Sequence, residues 1–278
     1  MAFRLLALDL DGTLLRSDKR ISARSRRALL AARAQGVRVV FVTGRPHPSA
    51  CRVLGDLAGK FLLVLHNGAL VIEAKRVLRC LPLATEAARR AVAAGRREGA
   101  TAVAHCGLRG EGRLLVEPGP HGHDRLTYYL ERAGQAVRTV PHLETALEQD
   151  GEVLQVMFAG TQAAMEQLRN ALAAQLGDAV GVERTVYPAH DLELVDVLSP
   201  GVGKDEAVAW LQGRWALTGS ETLAIGDNWN DRGMLRSAGL GLVMGNAAPA
   251  LLELGLPVLP PNDEDGVALA IEEHILRR

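Results

Sequence analysis

Two aspartates separated by a single residue are the positions in this sequence best suited to chemistry. Asp9 and Asp11 follow the apolar run at residues 3–8, which is typical of a buried strand. Because residues i and i+2 of a strand share a side, we expect both carboxylates to face one site. Gly12 then permits a sharp turn. Bare carboxylates at a buried strand end are costly, and a divalent cation would remove that cost.

Three further segments place polar groups after apolar stretches or glycines. A predicted strand at residues 37–42 precedes Thr43-Gly44-Arg45, and another at residues 222–225 precedes the acidic cluster at residues 226–231. Lys204 follows a glycine-containing turn and begins a helical pattern. In an open parallel sheet, ligands bind outside the carboxyl ends of the strands. We therefore expect these segments to meet at one edge of a sheet.

The four segments resemble, in order and spacing, the four motifs of the haloacid dehalogenase superfamily of phosphatases. The chain resembles most its Cof-type branch, which carries a large cap inserted after the second motif. The resemblance covers nearly the whole length, and it implies a Mg²⁺-dependent phosphatase that acts on a small phosphorylated metabolite. Further segments that resemble this branch are His66-Asn67-Gly68-Ala69, Ala238-Gly239, Met244-Gly245-Asn246-Ala247 and Asn262-Asp263-Glu264-Asp265-Gly266-Val267.

The resemblance implies separate roles for the carboxylates. Asp9 would be the nucleophile that forms an aspartyl-phosphate. Asp11 would protonate the departing alkoxide and then accept a proton from the attacking water. Asp9, the backbone carbonyl of Asp11 and Asp227 would be the protein ligands of Mg²⁺, which prefers oxygen ligands. Asp231 would lie behind these ligands and orient Lys204 or a metal-bound water.

The resemblance also implies a set of phosphate-binding groups. The Thr43 hydroxyl and the Gly44 N–H would hold phosphoryl oxygens, and Lys204 would supply positive charge. We expect Arg45 to be structural or solvent-facing rather than catalytic. The residues expected to bind phosphate or substrate are Leu10, Thr43, Gly44, Lys204, Asn230, His47 and Asn67, of which Thr43 and Lys204 join Asp9 and Asp11 as catalytic residues.

Histidines suggest additional contacts outside the motifs. His47 and His66 could face a cleft, as could Asn67. His121 and His123 could bind a metal, but a glycine-rich loop with two histidines is ordinarily just a loop. Weaker candidates for substrate contact are Arg109, Arg113, Arg184, Tyr187 and His190.

The composition of the chain limits which classes of partner the protein is expected to bind. The 278 residues are 48% hydrophobic, and 32 basic residues balance 32 acidic ones. A zero net charge and 4% aromatic residues argue against a nucleic-acid partner. Cys51, Cys80 and Cys106 fit neither a disulfide framework nor a zinc pattern. Without a signal sequence or an apolar run of membrane-spanning length, we expect a soluble cytoplasmic protein, either monomer or homodimer.

The order of elements predicts an α/β fold with a doubly wound, Rossmann-like parallel sheet. Residues 1–83 and 199–278 form the predicted core, and residues 84–198 form an inserted α+β cap. Predicted helices begin at Ser22, the N-cap of a helix that runs to Ala34, and cover residues 85–97, 124–132 and 161–176. The remaining predicted strands are a hairpin within residues 69–83 and segments 101–105, 113–117, 153–158 and 192–197.

Two other functions stay open. A phosphotransferase or phosphomutase would pass the phosphoryl group from Asp9 to a sugar instead of water. A catalytically idle regulator would bind a phosphorylated ligand without turnover, although such a binder does not need Asp11. The sequence does not identify the natural substrate.

Overall fold

The computed structural model describes residues 3–119, 124–133 and 136–277, which fall into two compact units. The first unit comprises residues up to Arg45, Ala50–Leu78 and the segment from Gly203 onward. The second unit comprises Pro46–Ser49 and Arg79–Val202.

The strands are β1 (Leu5–Leu8), β2 (Arg38–Val42), β3 (Leu62–Leu65), β4 (Leu70–Glu73), β5 (Arg76–Cys80), β6 (Ala102–Cys106), β7 (Arg113–Val116), β8 (Val137–Thr139), β9 (Val153–Gly160), β10 (Gly181–Tyr187), β11 (Leu192–Leu198), β12 (Thr222–Gly226), β13 (Leu240–Met244) and β14 (Val258–Leu259). The α-helices are α1 (Ala23–Ala34), α2 (His47–Leu54), α3 (Thr85–Arg97), α4 (Asp124–Ala133), α5 (Leu143–Asp150), α6 (Gln162–Leu176), α7 (Lys204–Arg214), α8 (Arg232–Ser237), α9 (Pro249–Leu252) and α10 (Gly266–Ile271).

An eight-stranded sheet forms the centre of the first unit. Its order is β14-β13-β12-β1-β2-β3-β4-β5, and the pairs from β14 to β3 are parallel. Leu8 at the end of β1 lies opposite Ile225 on one side and Phe41 on the other. The chain order therefore reverses beside β1, which is where doubly wound sheets bind ligands. The predicted α/β class with a mostly parallel sheet is confirmed.

Apolar sequence explains why these strands lie at the centre. All four residues of β1 are completely buried, as expected for a parallel strand that is covered on both faces. Leu5 and Ala7 pack with Val208 and Leu211 of α7 and with Met234 of α8. On α1, the side chain of Ser22 accepts a hydrogen bond from the Ser25 N–H, which confirms the predicted N-cap.

The second unit is an α+β structure around a six-stranded sheet. The order is β10-β11-β9-β6-β7-β8, and the pairing is antiparallel except between β7 and β8. One apolar cluster joins the sheet to α3, α5 and α6. A second cluster on the sheet includes Leu126 and Leu130 of α4.

The sequence analysis gave no residue range for several elements, among them α2, α5, β8 and β10. The strand β8 has only three residues, and Arg138 and Thr139 are exposed. β10 lies at the sheet edge, and none of its residues is buried. Such elements lack the strong apolar pattern from which strands are recognised.

Candidate active site

The end of β1 delivers Asp9 to the carboxyl edge of the large sheet. Its N–H donates to the Ile225 carbonyl at 3.1 Å, so Asp9 continues the register of β1 with β12. Lys204, the first residue of α7, donates from Nζ to Asp9 Oδ1 at 2.6 Å and to Asp231 Oδ1 at 2.7 Å. The three residues are buried. A charged lysine at this depth requires such carboxylate partners.

Negative charge exceeds positive charge at this edge. Oxygen atoms of Asp9, Asp227 and Asp231 lie within 4.8 Å of one another, and Lys204 is the cation that contacts two of them. Burial raises the pKa of Asp9 to about 7, against the attraction of Lys204, and the nearby Asp231 raises it further. Burial and the charges of Asp9 and Asp231 raise the pKa of Asp227 well above its ordinary value.

The charge of Lys204 is secured by its neighbours. Burial alone would lower the pKa of its ammonium group, but the carboxylates of Asp231 and Asp9 raise that pKa above its ordinary value. Lys204 therefore remains a cation throughout the pH range in which proteins are stable.

Asp227 is positioned by the turn that follows β1. The Thr13 hydroxyl donates to Asp227 Oδ1 at 3.0 Å, an interaction that the sequence analysis did not anticipate. Gly12 has a φ of +78°, and a Cβ atom at this position would lie 2.1 Å from Asp227 Oδ2. Glycine at position 12 is therefore required both by the backbone conformation and by the close approach of a carboxylate.

Asp231 has both carboxylate oxygens engaged. Oδ1 accepts from Lys204, and Oδ2 accepts from the N–H groups of Asp227 and Asn228 at 3.1 and 3.0 Å. These contacts fix Lys204 and the turn that carries Asp227. The carboxylates of Asp9 and Asp227 remain the better donors for a cation. Hard oxygen ligands with excess negative charge suit a divalent cation such as Mg²⁺.

Asp11 and Asp9 have different partners, although the sequence analysis expected both carboxylates on one side of a strand. β1 ends at Leu8, so the alternation of a strand does not extend to Asp11. Arg45 donates from Nε and from a terminal nitrogen to the two oxygens of Asp11, at 2.5 and 2.7 Å. Lys19 adds a contact at 3.1 Å.

Arg45 therefore holds Asp11 in place, which agrees with a structural rather than a catalytic role. Burial alone would raise the pKa of Asp11, but the hydrogen bonds and charges of Arg45 and Lys19 lower that pKa below its ordinary value. The arrangement keeps Asp11 ionised. The sequence feature that could have indicated this contact is the position of Arg45, two residues after the predicted phosphate-binding Thr43.

The end of β2 brings Thr43 and Gly44 to the same sheet edge. Thr43 is buried, its N–H donates to the Val64 carbonyl at 2.9 Å, and its hydroxyl oxygen accepts from the Arg45 N–H at 3.2 Å. This hydroxyl keeps its proton for donation to another group. A Cβ atom at Gly44 would lie 3.2 Å from the side-chain oxygen of Asn67.

The C-terminal part of the chain holds the turn after β1 in place. Asn246 donates to the Gly12 carbonyl, Asn262 donates from its side chain to the Leu15 carbonyl, and the Asn262 N–H donates to Asn246 Oδ1, each at 2.8 Å. Arg16 pairs with Asp265 at 2.8 Å. The segments that contain Asn246 and Asn262 were singled out only by their resemblance to the family. In the structure they hold the turn after β1 in place.

The remaining predicted site residues lie in different parts of the structure. Leu10 is completely buried, so a phosphate contact there would have to use its backbone. His66 and Asn67 are buried in the turn after β3, and Asn67 contacts Asn230. His47 begins α2 and groups with the second unit. Arg113 of β7 pairs with Glu152 at 2.8 Å. The histidines at positions 121 and 123 lie outside the described residues.

A model of the haloacid dehalogenase-like hydrolases matches residues 6–271, and the chain therefore belongs to this family. The predicted class of enzyme, a phosphoric monoester hydrolase, is confirmed together with the predicted family. Among the residues described, no helix combines the length and the apolar character needed to cross a membrane.

Individual relatives agree with the family over nearly the whole chain. Pyridoxal phosphate phosphatase YbhA of Escherichia coli (strain K12) is 29% identical, covering 99% of this chain and 100% of the relative. HMP-PP phosphatase of Cronobacter sakazakii (strain ATCC BAA-894) is 30% identical, covering 92% and 89%. A haloacid dehalogenase-like hydrolase structure from Bacteroides thetaiotaomicron has a TM-score of 0.77 at 26% identity, covering 97% and 98%.

Proposed function

We propose that this protein is a Mg²⁺-dependent phosphatase that hydrolyses small phosphorylated metabolites, such as sugar phosphates, through an aspartyl-phosphate on Asp9. The observation that carries the proposal is the buried Lys204, which bridges Asp9 and Asp231 while Asp227 lies beside them. A buried nucleophile with an adjacent fixed cation suits attack on an anionic phosphoryl group.

Asp9 acts as the nucleophile. Its carboxylate oxygen attacks phosphorus, a P–O bond to Asp9 forms, and the bond to the substrate's leaving oxygen breaks. Lys204 reduces the repulsion between two anions, and Asp231 holds Lys204 in place. The Thr43 hydroxyl, the Gly44 N–H and Asn230 hold the phosphoryl oxygens, together with the backbone at Leu10.

Asp11 handles the protons. It gives a proton to the leaving oxygen, and it later accepts one from the water that attacks the aspartyl-phosphate, which frees Asp9 and phosphate. Positioned proton transfer of this kind contributes about 10²–10⁴-fold to the rate. Arg45 and Lys19 hold Asp11 in the ionised form that the second step requires. To act as an acid in the first step, Asp11 must release some of these contacts and take up a proton from solvent; the proton that it later accepts from the attacking water restores this acid form.

Asp9, Asp227 and the backbone carbonyl of Asp11 would hold Mg²⁺, which neutralises negative charge between the nucleophile and the phosphoryl group. The donor set fits this ion, because it consists of oxygens and has an excess of negative charge. The stretch 84–198 serves in this proposal as the cap that selects the leaving group, and residues 1–83 and 199–278 as the catalytic core. His47 and Asn67 were predicted as substrate contacts.

The phosphotransferase or mutase and the idle binding protein are the competing functions. The organisation of Asp11 supports turnover over binding alone, because a ligand-binding protein does not need a paired carboxylate held by Arg45 and Lys19. Transfer of the phosphoryl group to an acceptor sugar would distinguish a transferase from a hydrolase.

The test is phosphate release from a panel of phosphorylated metabolites, with Mg²⁺ and with EDTA. We expect release that requires the metal and that Asp9→Asn abolishes. Asp56→Asn, a matched change at an exposed residue of the same unit, should keep wild-type activity. Absence of release from every compound by a folded protein that binds Mg²⁺ would overturn the phosphatase proposal.

A further inference from the structure

The turn after β3 contains three consecutive residues with positive φ. The angles are 49° at His66, 52° at Asn67 and 111° at Gly68. Glycine adopts such angles easily, and asparagine and histidine adopt them more often than other non-glycine residues, although still at a cost in free energy. Such strain persists only where the surroundings impose it, and it concentrates at functional sites.

The surroundings of this turn are the loops that carry the catalytic groups. The Asn67 N–H donates to the Thr43 carbonyl at 3.1 Å, and the His66 N–H donates to the Arg45 carbonyl at 3.3 Å. A Cβ atom at Gly68 would lie 2.4 Å from the Gly203 carbonyl oxygen, immediately before Lys204. The left-handed backbone thus lets one turn contact two motif loops.

The side chain of Asn67 contacts a third motif. It is completely buried, and its Oδ1 accepts from Asn230 Nδ2 at 3.0 Å. An amide nitrogen carries two hydrogens, so this bond fixes the plane of the Asn230 amide and leaves one hydrogen for a phosphoryl oxygen. Asn230 is itself 8% exposed, so its amide has little freedom to find another orientation.

We infer that Asn67 is a positioning residue for phosphoryl transfer rather than a substrate contact. It acts through Asn230, whose amide it orients, and its backbone supports the loop of Thr43 and Gly44. The inference rests on the proposed function, because it concerns the phosphoryl group that Asn230 would hold. It replaces the role of substrate contact that the sequence suggested for Asn67.

Replacement of Asn67 by glycine separates positioning from stability. Asn67→Gly removes the acceptor for Asn230 but relieves the positive φ, so we expect a melting temperature close to that of the wild type. The value of kcat should fall about 10–100-fold while KM changes less, because a transition-state contact is weakened. Inhibition by orthovanadate, a mimic of the phosphoryl group in transfer, should weaken by a similar factor.

Lys75→Gly is the matched control. Lys75 also has a positive φ, 73°, and lies in the turn between β4 and β5 of the same unit. Glycine there should relieve the same kind of strain and leave kcat and vanadate inhibition unchanged. A purely structural role for Asn67 predicts instead that any loss of activity follows a loss of stability.

A double-mutant cycle identifies the path of the effect. If Asn67 acts through Asn230, the double variant Asn67→Gly/Asn230→Ala should have the kcat of Asn230→Ala alone. In that variant the Asn230 amide that Asn67 would orient is already absent. Should Asn67→Gly not fold, the same cycle is run with Asn67→Ser, which keeps a small polar side chain at the buried position and removes the amide oxygen. Additive losses, or a wild-type kcat in Asn67→Gly, would overturn the inference while leaving phosphatase activity intact. An inactive wild type would instead reject the proposed function, and the inference with it.

Discussion

At the scale of the residue, the site depends on carboxylates that are chemically alike and differ in their neighbours. Asp9 and Asp231 share Lys204, Asp227 takes the Thr13 hydroxyl, and Asp11 takes Arg45. Burial and mutual repulsion raise the pKa of Asp9 and Asp227, whereas Arg45 and Lys19 lower that of Asp11. The different environments would allow the proposed nucleophile, the proposed cation ligands and the proposed proton carrier to coexist.

Gly12 is the residue whose replacement should most directly disturb the cation ligands. In Gly12→Ala, the new methyl group would occupy the position of the Asp227 carboxylate, and φ would remain strained. We expect a loss of at least about 1–3 kcal/mol in the free energy of unfolding and much weaker Mg²⁺ binding. Urea unfolding and isothermal titration with Mg²⁺ measure the two effects.

Gly36→Ala provides the control for this prediction. Gly36 has a similar φ of +84°, but apart from its chain neighbours no atom of a described residue lies within 4 Å of its hypothetical Cβ. The variant should lose about 1 kcal/mol from strain and bind Mg²⁺ as the wild type does. Equal Mg²⁺ affinity in both variants would contradict the placement of Asp227 as a ligand.

At the scale of the element, the short connections matter as much as the strands they follow. The turn after β1 is held by Asn246 and Asn262, which come from a part of the chain more than 200 residues away, as shown by separations of 234 and 247. These side chains satisfy carbonyl groups that lie outside any regular element. The C-terminal segment therefore stabilises the turn that follows Asp9 and Asp11.

Asn262→Ala should loosen this loop without removing a catalytic group. Loss of the hydrogen bond to the Leu15 carbonyl should cost about 0.5–1.5 kcal/mol. We expect faster hydrogen exchange at the Leu15 N–H, which donates to the Leu10 carbonyl at 2.8 Å. Asp178→Ala, at an exposed position of another short helical turn, should leave that exchange unchanged. Unaltered exchange in both variants would show that Asn262 does not hold the loop.

At the scale of the whole molecule, the stability of the metal-free protein should depend on pH through the buried carboxylates. The pKa of Asp9 is about 7 in the folded protein against an ordinary value of 3.8. The folded state therefore binds a proton more tightly than the unfolded state. Protonated Asp9 therefore stabilises the folded state at low pH. The free energy of unfolding falls as the pH rises from about 4 to about 7.

Mg²⁺ should reverse this trend, because the cation binds the ionised carboxylates. We expect Mg²⁺ to raise the melting temperature more at pH 8 than at pH 5.5. At pH 8, Mg²⁺ at 100 times its Kd should add about 2.7 kcal/mol to the free energy of unfolding. Differential scanning calorimetry with and without Mg²⁺ measures the effect, and Asp227→Asn should reduce it at both pH values. A stabilisation that is independent of pH would argue against binding at these carboxylates.

The sequence determined the elements with strong local patterns. The apolar runs of β1, β2 and β12 were sufficient to predict a parallel sheet, because strands buried on both faces consist of continuous apolar residues. The motif residues at their ends followed from the same pattern, since parallel strands bring their carboxyl ends to one edge.

Only the tertiary structure decided which polar side chains pair with each other. The contact of Arg45 with Asp11, that of Thr13 with Asp227 and that of Asn67 with Asn230 join residues between 34 and 214 positions apart in the chain. No local periodicity encodes such pairs, because they depend on how turns of unusual φ bring separate loops together. The identity of each carboxylate was visible in the sequence, but its protonation and its partner arise from burial and from neighbours that the fold supplies.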